Sequence, residues 1–116
     1  MKTTEKLVSF VQKTSYKDFS REVTHQAKRC LLDLLGVAIG GARQPVVQIL
    51  IKTLKETGGK PQATVLSHGF KTSTLNAALI NGAMAHALDF DYTHIGSIIH
   101  PSAPVIPAVL ALGERL

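Results

Sequence analysis

The stretch "TLNAALINGAMAHAL", residues 74–88, decides the fold because it predicts a helix with an unusually narrow surface. Five alanines and Gly82 occupy its fifteen positions, and Thr72 or Ser73 is placed to cap its start. Glycine weakens a helix by about 1 kcal/mol relative to alanine, so close approach of another backbone is the best reason for Gly82. The stretch therefore predicts tight helix packing.

Three further helices are predicted upstream of this stretch. A short, loosely amphipathic helix is expected to end near Ser15 and Tyr16. A long helix begins near Asp18 or Ser20 and stops at Gly40 and Gly41, with an apolar stripe at three- and four-residue steps. That stripe contains Val23, Ala27, Cys30, Leu31, Leu34, Leu35 and Ala38. A third helix starts at Pro45, ends before Gly58 and Gly59, and has a face of Val46, Ile49, Leu50 and Leu54.

The rest of the chain completes an all-α class with at most one or two short strands near 62–70. The stretch "ATVLS", residues 63–67, is β-branched and precedes the turn signal "HGF", so it predicts one strand whose partner comes from elsewhere. A proline-rich entry then leads into "AVLALGERL". Because Pro107 breaks a helix in progress, the last helix is expected to begin at or just before it.

Composition bounds the class of protein. With 116 residues, 45% apolar and 18% charged, the chain can build the core of one domain. The single cysteine, Cys30, suits a reducing cytoplasm, and charged residues interrupt the start of the chain before a secretory signal could form. We therefore expect a cytoplasmic location.

The net charge of +5 does not indicate a nucleic-acid partner. Residues 1–60 carry +6 and residues 61–116 carry −1, and the basic residues are scattered without a dense block or interleaved aromatic residues. A membrane span is also excluded by the polar residues and prolines that interrupt the apolar segments. An anionic small molecule remains compatible with the charge.

The segment after Lys71 is nearly uncharged, because Asp89 and Asp91 are its only formally charged residues before Glu114. A chain of this length has limited capacity to cover two such apolar helices. The helical pattern is also still running at Leu116. We therefore expect further chain or a partner to pack here.

Three histidines and two aspartates interrupt this apolar segment between residues 86 and 100. His86 falls in the last helical turn and Asp89 just past it, where the helix dipole opposes a carboxylate by about 0.3–1 kcal/mol. His100 precedes Pro101, which favours an extended backbone and suits a general base or a carboxylate binder. The structural alternatives are a loop cap at Asp89, a hydrogen-bonded turn at 91–94 and an ordinary loop histidine at 100.

Metal binding is the sharper alternative, since histidine and aspartate are good ligands for Zn²⁺ or Fe²⁺. The intervals from His86 to His94 and from His94 to His100 match no compact helical ligand pair, so we predict no metal. Cys30 lies on the apolar stripe and is expected in the core. "GVAIGG" follows no predicted strand and fails as a phosphate loop.

The sequence resembles the amino-terminal part of the MmgE/PrpD family through four blocks in the family's order. They are "LLDLLGVAIGG", "ATVLS", "AALINGAMAHALDFDYTH" and "HPSAPVIPAVLALGE". The family includes 2-methylcitrate dehydratase, cis-aconitate decarboxylase and iminodisuccinate epimerase. The resemblance implies that residues 1–116 form an amino-terminal portion of a helical domain, and it implies cofactor-independent and metal-independent chemistry and a homodimer.

The resemblance also implies a site. The family's "DFDDTH" corresponds to residues 89–94 and its "HPS" to residues 100–102, which gives Asp89, Thr93 and His100 as catalytic residues. Substrate-binding roles are expected for Asp91, His94, Ser102 and His86. Tyr92 stands where many members have a second aspartate, and family enzymes are three or four times longer, so the chain is expected to be truncated.

Two functions follow as hypotheses. The first is a fragment of a lyase or isomerase that moves a proton next to a carboxylate of a small polycarboxylate, in the manner of 2-methylcitrate dehydratase. The second is a catalytically inactive remnant or a helical module that binds a partner. The expected partners are the substrate and either a second copy or the remainder of the enzyme, with neither nucleic acid nor membrane.

Overall fold

The computed structural model describes residues 2–116, which form five α-helices and one hairpin. The helices are α1 (Thr3–Lys13), α2 (Arg21–Gly41), α3 (Pro45–Thr57), α4 (Thr74–His86) and α5 (Ser102–Arg115). A 3₁₀ turn spans Tyr16–Asp18. The strands are β1 (Ala63–Val65) and β2 (Phe70–Thr72). The predicted all-α class with a short β element near 62–70 is confirmed.

Helix α4 is the centre of the packing and contacts α2, α3, α5 and the hairpin. Its buried residues include Ile80 and Met84, which are among the largest fully enclosed side chains of the core. A Cβ atom added at Gly82 would lie 3.1 Å from the carbonyl oxygen of Ala103 on α5. The prediction that Gly82 allows another backbone to approach is therefore confirmed.

Gly41 has a second role besides ending α2. The helix ends at this residue, as predicted, but a Cβ atom there would overlap the carbonyl oxygen of Met84. The glycine is therefore required by the close crossing of α2 and α4. This requirement depends on a contact between distant segments, which the glycine pair alone does not indicate.

The predicted starts of α2, α3 and α4 agree with the structure. The Ser73 hydroxyl caps α4 by accepting a hydrogen bond from the backbone N–H of Asn76 at 3.3 Å. Ser20 caps α2 through the N–H of Val23 at 3.2 Å. Pro45 is the first residue of α3. Local side-chain and backbone chemistry fixes these boundaries.

The predicted apolar faces agree less well. On α3 the buried residues are Val47 and Ile51, whereas Val46 and Ile49 are 50% and 66% exposed. The buried face of α3 is therefore rotated from the predicted face, because the contact with α4 determines which side chains are buried. No residue of α1 is buried, and of the predicted stripe on α2 only Leu34 and Ala38 are buried.

The expectation that the partner of the first strand comes from elsewhere is wrong. β1 pairs antiparallel with β2, with Ala63 opposite Thr72 and Val65 opposite Phe70. Gly69 has a φ of 66° in the connecting loop, a conformation that glycine adopts without strain. Three-residue strands carry too little sequence for an alternating pattern, so the sequence does not reveal the pairing of β1 with β2.

Two side chains anchor this hairpin to the helices. The Asn81 amide donates to the carbonyl oxygen of Thr64, and its own oxygen accepts from the N–H of Leu66, both at 2.9 Å. The Glu114 carboxylate accepts from the Thr64 N–H at 2.6 Å and lies 2.8 Å from Lys71 Nζ. Hydrogen bonds from Lys71 and then Thr64 lower the pKa of Glu114 to about 2. The hairpin is thus tied to both α4 and α5.

The predicted start of the last helix is also wrong. α5 begins at Ser102 and contains Pro107 in its interior. Proline there removes one backbone hydrogen bond, whose acceptor would have been the carbonyl of Ala103, four residues earlier. Pro107 is fully buried, so packing holds the helix together despite the missing bond.

Much apolar surface remains exposed on α5, including Val105 at 56% and Val109 at 62%.

In the part of the chain that the structure describes, no single helix combines the length and apolar character needed to cross a membrane. α2 and α3 meet that test only as a pair bent by 86°, on length and composition alone.

Candidate functional site

The loop between α4 and α5, residues 87–101, carries most of the polar residues of the candidate site. His94 and Ile99 form an isolated antiparallel bridge that closes the outer part of the loop. Asp89 has a φ of 50°, in a left-handed region that aspartate tolerates better than most residues. The bend it makes leads the chain back over the end of α4.

Asp91 is the buried centre of the site. The residue is 4% exposed, and its carboxylate is fully shielded from solvent. Its Oδ1 lies 2.9 Å from His86 Nδ1 and 3.2 Å from His100 Nδ1. The two imidazole rings meet edge to face with their centroids 4.9 Å apart. One carboxylate oxygen therefore lies between two histidines.

The other nitrogen of His100 faces Thr93 and Asp89. His100 Nε2 lies 3.5 Å from the Thr93 hydroxyl and 3.7 Å from Asp89 Oδ1. The Asp89 side chain is 81% exposed, whereas the His100 side chain is 26% exposed. The Nε2 edge of the His100 ring therefore faces the more exposed polar groups of the cluster.

The structure brings together five of the seven predicted site residues: His86, Asp89, Asp91, Thr93 and His100. His94 instead pairs its Nδ1 with the Ser97 hydroxyl at 2.7 Å, within the outer loop. Ser102 is buried in the first turn of α5 and lines a different hollow, beside Tyr92. The roles assigned to all seven residues stay predictions.

Asp33 on α2 supports the loop and was missed by sequence reasoning. Its carboxylate accepts a hydrogen bond from the backbone N–H of Tyr92 at 3.1 Å, next to the buried Asp91. A signal was present in "LLDLLG", residues 31–36, where one acidic residue interrupts an apolar run. Only the fold shows that this carboxylate meets the loop.

A groove between α4 and α5 opens beside the cluster. It encloses about 570 Å³, and His86 and His100 contribute to its otherwise largely apolar wall. This volume lies in the usual range for small-molecule sites. Since no Lys or Arg occurs between Lys71 and Arg115, the loop supplies carboxylates and imidazoles but no permanent positive charge.

The same cluster contains the donor atoms that a metal could use. One ligand atom each from His86, Asp89, Asp91 and His100 lies within 4.8 Å of the others, and this donor set suits Zn²⁺ or Fe²⁺. Sequence spacing identifies only ligand pairs that lie on one helix. It does not show that the loop folds back over His86, and the absence of a metal stays a prediction.

The fold and the site define an all-α domain with a carboxylate–imidazole cluster of the kind that supports acid–base chemistry. The family model described as "MmgE/PrpD N-terminal domain" matches residues 5–116. This chain belongs to the MmgE/PrpD family.

Named relatives match nearly the whole of this chain. The chain is 29% identical over 114 residues to cis-aconitate decarboxylase of Mus musculus and equally so to that of Homo sapiens, with 97% of this chain covered. It is 23% identical over 111 residues to cis-aconitate decarboxylase-like protein oryM of Aspergillus oryzae, with 96% covered. The matches span 23% or 24% of the relatives, so the chain covers about a quarter of their length.

Proposed function

We propose that this chain is the amino-terminal part of a cofactor-independent lyase or isomerase that moves a proton next to a carboxylate of a small polycarboxylate. The observation that carries the proposal is His100, which is held beside the buried Asp91 while its Nε2 faces Thr93 and Asp89. 2-Methylcitrate and cis-aconitate are the substrates to test first. The second is favoured by the names of the relatives.

In this proposal His100 Nε2 removes or delivers the substrate proton. A histidine suits this role because its ordinary pKa lies near neutral pH. The Thr93 hydroxyl lies close enough to orient the substrate or the imidazole by a hydrogen bond. Asp89 can hold the protonated imidazole by charge attraction. Dehydration, decarboxylation and epimerisation all share this proton transfer.

The charge balance of the site indicates that residues from outside this chain contribute to it. Two aspartates face two imidazoles, and no lysine or arginine lies in the loop. A polycarboxylate would be repelled unless basic groups from elsewhere offset these charges and stabilise the enolate-like transition state. We therefore expect the isolated chain to be inactive and to gain activity when it associates with the part of the relatives that it does not match. A homodimer, as the family resemblance implies, and a cytoplasmic location belong to the same proposal.

The second candidate function is a catalytically inactive module that binds a partner through α5. Its support is the apolar surface of that helix, where Val105, Val109 and Leu112 are 48% to 62% exposed. A hollow that reaches from Val105 to Ala27 and Leu31 on α2 extends this surface. Exposed apolar patches of this kind mark interaction sites.

A complementation assay separates the two functions. The chain is mixed with a polypeptide that comprises the mouse relative without its matched quarter, and turnover of cis-aconitate and 2-methylcitrate is measured together with the mass of the complex in solution. Turnover by the mixture, absent from either part alone, supports the enzyme fragment. A stable complex that turns over neither substrate supports the binding module and contradicts the first proposal.

A further inference from the structure

Asp91 is an ionisable residue in a place where an apolar side chain would be easier to bury. Its carboxylate has no exposed surface, yet its Oδ2 has no hydrogen-bond partner among the described residues. Buried polar atoms without partners are rare in folded proteins, and each needs an explanation. The packing of α4 and α5 alone supplies none.

The second unpaired buried atom is the neighbouring Nδ1 of His100. It lies 3.2 Å from Asp91 Oδ1, so the two atoms are within reach but are not aligned as a hydrogen bond. By contrast, His86 Nδ1 is bonded to the same oxygen at 2.9 Å. The torsion that turns an imidazole ring about its Cβ–Cγ bond is soft, so a small rotation of His100 would complete the second bond.

We propose that Asp91 is a positioning residue that holds His100 with its proton on Nδ1, so that Nε2 presents its lone pair to the substrate. The proposal rests on the proposed function and deepens it. An ionised carboxylate only accepts hydrogen bonds, so any ring nitrogen bonded to it carries a proton. Asp91 therefore selects the tautomer of His100 in which Nε2 is free to act as a base.

His86 has the supporting role in this arrangement. Here its Nδ1–H donates to Asp91 Oδ1, which gives one oxygen of the buried carboxylate a partner before any substrate binds. Its side chain is 53% exposed, and its ring meets that of His100 edge to face. His86 thus fixes Asp91 from one side while Asp91 fixes His100 from the other. Hydrogen bonds of this kind are commonly misaligned without substrate and tighten when it binds.

The tautomer is measured directly on the 116-residue chain by two-dimensional ¹H–¹⁵N NMR of ¹⁵N-labelled histidine rings, at about pH 9, where ordinary imidazoles are neutral. We expect the His100 spectrum to show a protonated Nδ1 and an unprotonated Nε2. His68 is the control in the same sample. Its Nε2 lies 3.1 Å from the carbonyl oxygen of Ala42, which only accepts, so His68 should show the opposite tautomer.

Two isosteric variants test the cause. Asp91→Asn should shift His100 toward a mixture of tautomers, because the amide can donate as well as accept. Asp18→Asn makes the same chemical change on an exposed carboxylate in the 3₁₀ turn before α2, which bonds only Ser15, and should leave the tautomer unchanged. If Asp91→Asn does not fold, the wild-type spectrum alone decides. A protonated Nε2 on His100 in the wild type overturns the proposal.

The complemented enzyme provides an independent readout. Asp91→Asn should lower kcat by about a hundredfold or more while KM changes little, as expected when a base is held in the wrong tautomer. If the NMR result holds but the complemented protein turns over nothing, the proposed function fails and the positioning role stands. If turnover is present but His100 shows the other tautomer, the positioning role fails alone. Turnover that is unchanged in Asp91→Asn also contradicts it.

Discussion

The Asp33 carboxylate on α2 accepts a hydrogen bond from the backbone N–H of Tyr92, in the loop that carries the candidate site. The bond joins a helix of the core to the residue that follows the buried Asp91. Because loop backbone groups otherwise face water, such a bond restricts the conformations that the loop can adopt. Asp33 therefore links the position of α2 to the geometry of the site.

Asp33→Ala should loosen this loop without unfolding the domain. A charged acceptor contributes at most about 1.5–3 kcal/mol to a hydrogen bond, and less at an exposed position such as this one. We expect faster hydrogen–deuterium exchange at residues 89–94 and unchanged exchange in α4. The control is Asp18→Ala, which removes a carboxylate from the 3₁₀ turn before α2. Equal exchange in both variants at residues 89–94 would show that Asp33 does not hold the loop.

Gly41→Ala should destabilise the domain because the new methyl group meets the Met84 carbonyl. Overpacking of this kind costs roughly 1–3 kcal/mol in the free energy of unfolding, which is measured by urea denaturation. Gly36→Ala is a matched control on the same helix, since a Cβ atom there has no neighbour within 4 Å.

The control should stabilise the protein by about 0.5–1 kcal/mol, because alanine is a better helix former than glycine. The opposite signs of the two variants distinguish close packing from helix propensity. A stabilising Gly41→Ala would show that α2 and α4 do not cross as closely as described.

Much of this fold could be predicted from local chemistry. Ser73, Pro45 and Gly58 mark helix ends because capping and backbone preferences act within a few residues. The pairing of β1 with β2 and the survival of α5 through Pro107 could not be predicted. Both depend on packing between distant segments, which overrides local preference.

The candidate site shows the same division. The sequence singled out His86, Asp91 and His100 as residue types, and the resemblance assigned them to a site. That Asp91 lies between the two rings depends on how the loop folds back over α4. Asp33 was missed because its partner is a backbone N–H, which carries no signature in the sequence.

Acid should weaken the attachment of the hairpin to α5. The pKa of Glu114 is lowered from 4.5 to about 2 by hydrogen bonds from Lys71 and Thr64. A group with a depressed pKa contributes stability that is fully present above its unfolded-state value and is lost as the pH falls toward its folded-state value. The free energy of unfolding should therefore decrease as the pH falls from 4.5 to about 2.

Glu114→Gln should make that decrease shallower, as measured by urea denaturation at several pH values. Glu56→Gln, an exposed carboxylate near the end of α3, is the matched control. Because Lys71 and Glu114 are partly exposed, added salt should reduce the difference between wild type and Glu114→Gln. The same pH slope in wild type and Glu114→Gln would exclude this role for the ion pair.

The most direct test of the central claim is the exchange of the substrate proton next to a carboxylate with solvent deuterium. The exchange is followed by NMR for cis-aconitate and 2-methylcitrate in the complemented protein. Exchange catalysed by the wild type should fall by at least about a hundredfold in His100→Ala, in line with the usual contribution of a general base. It should be unchanged in His25→Ala, an exposed histidine on α2. Equal exchange rates in wild type and His100→Ala would contradict the claim that His100 transfers the proton.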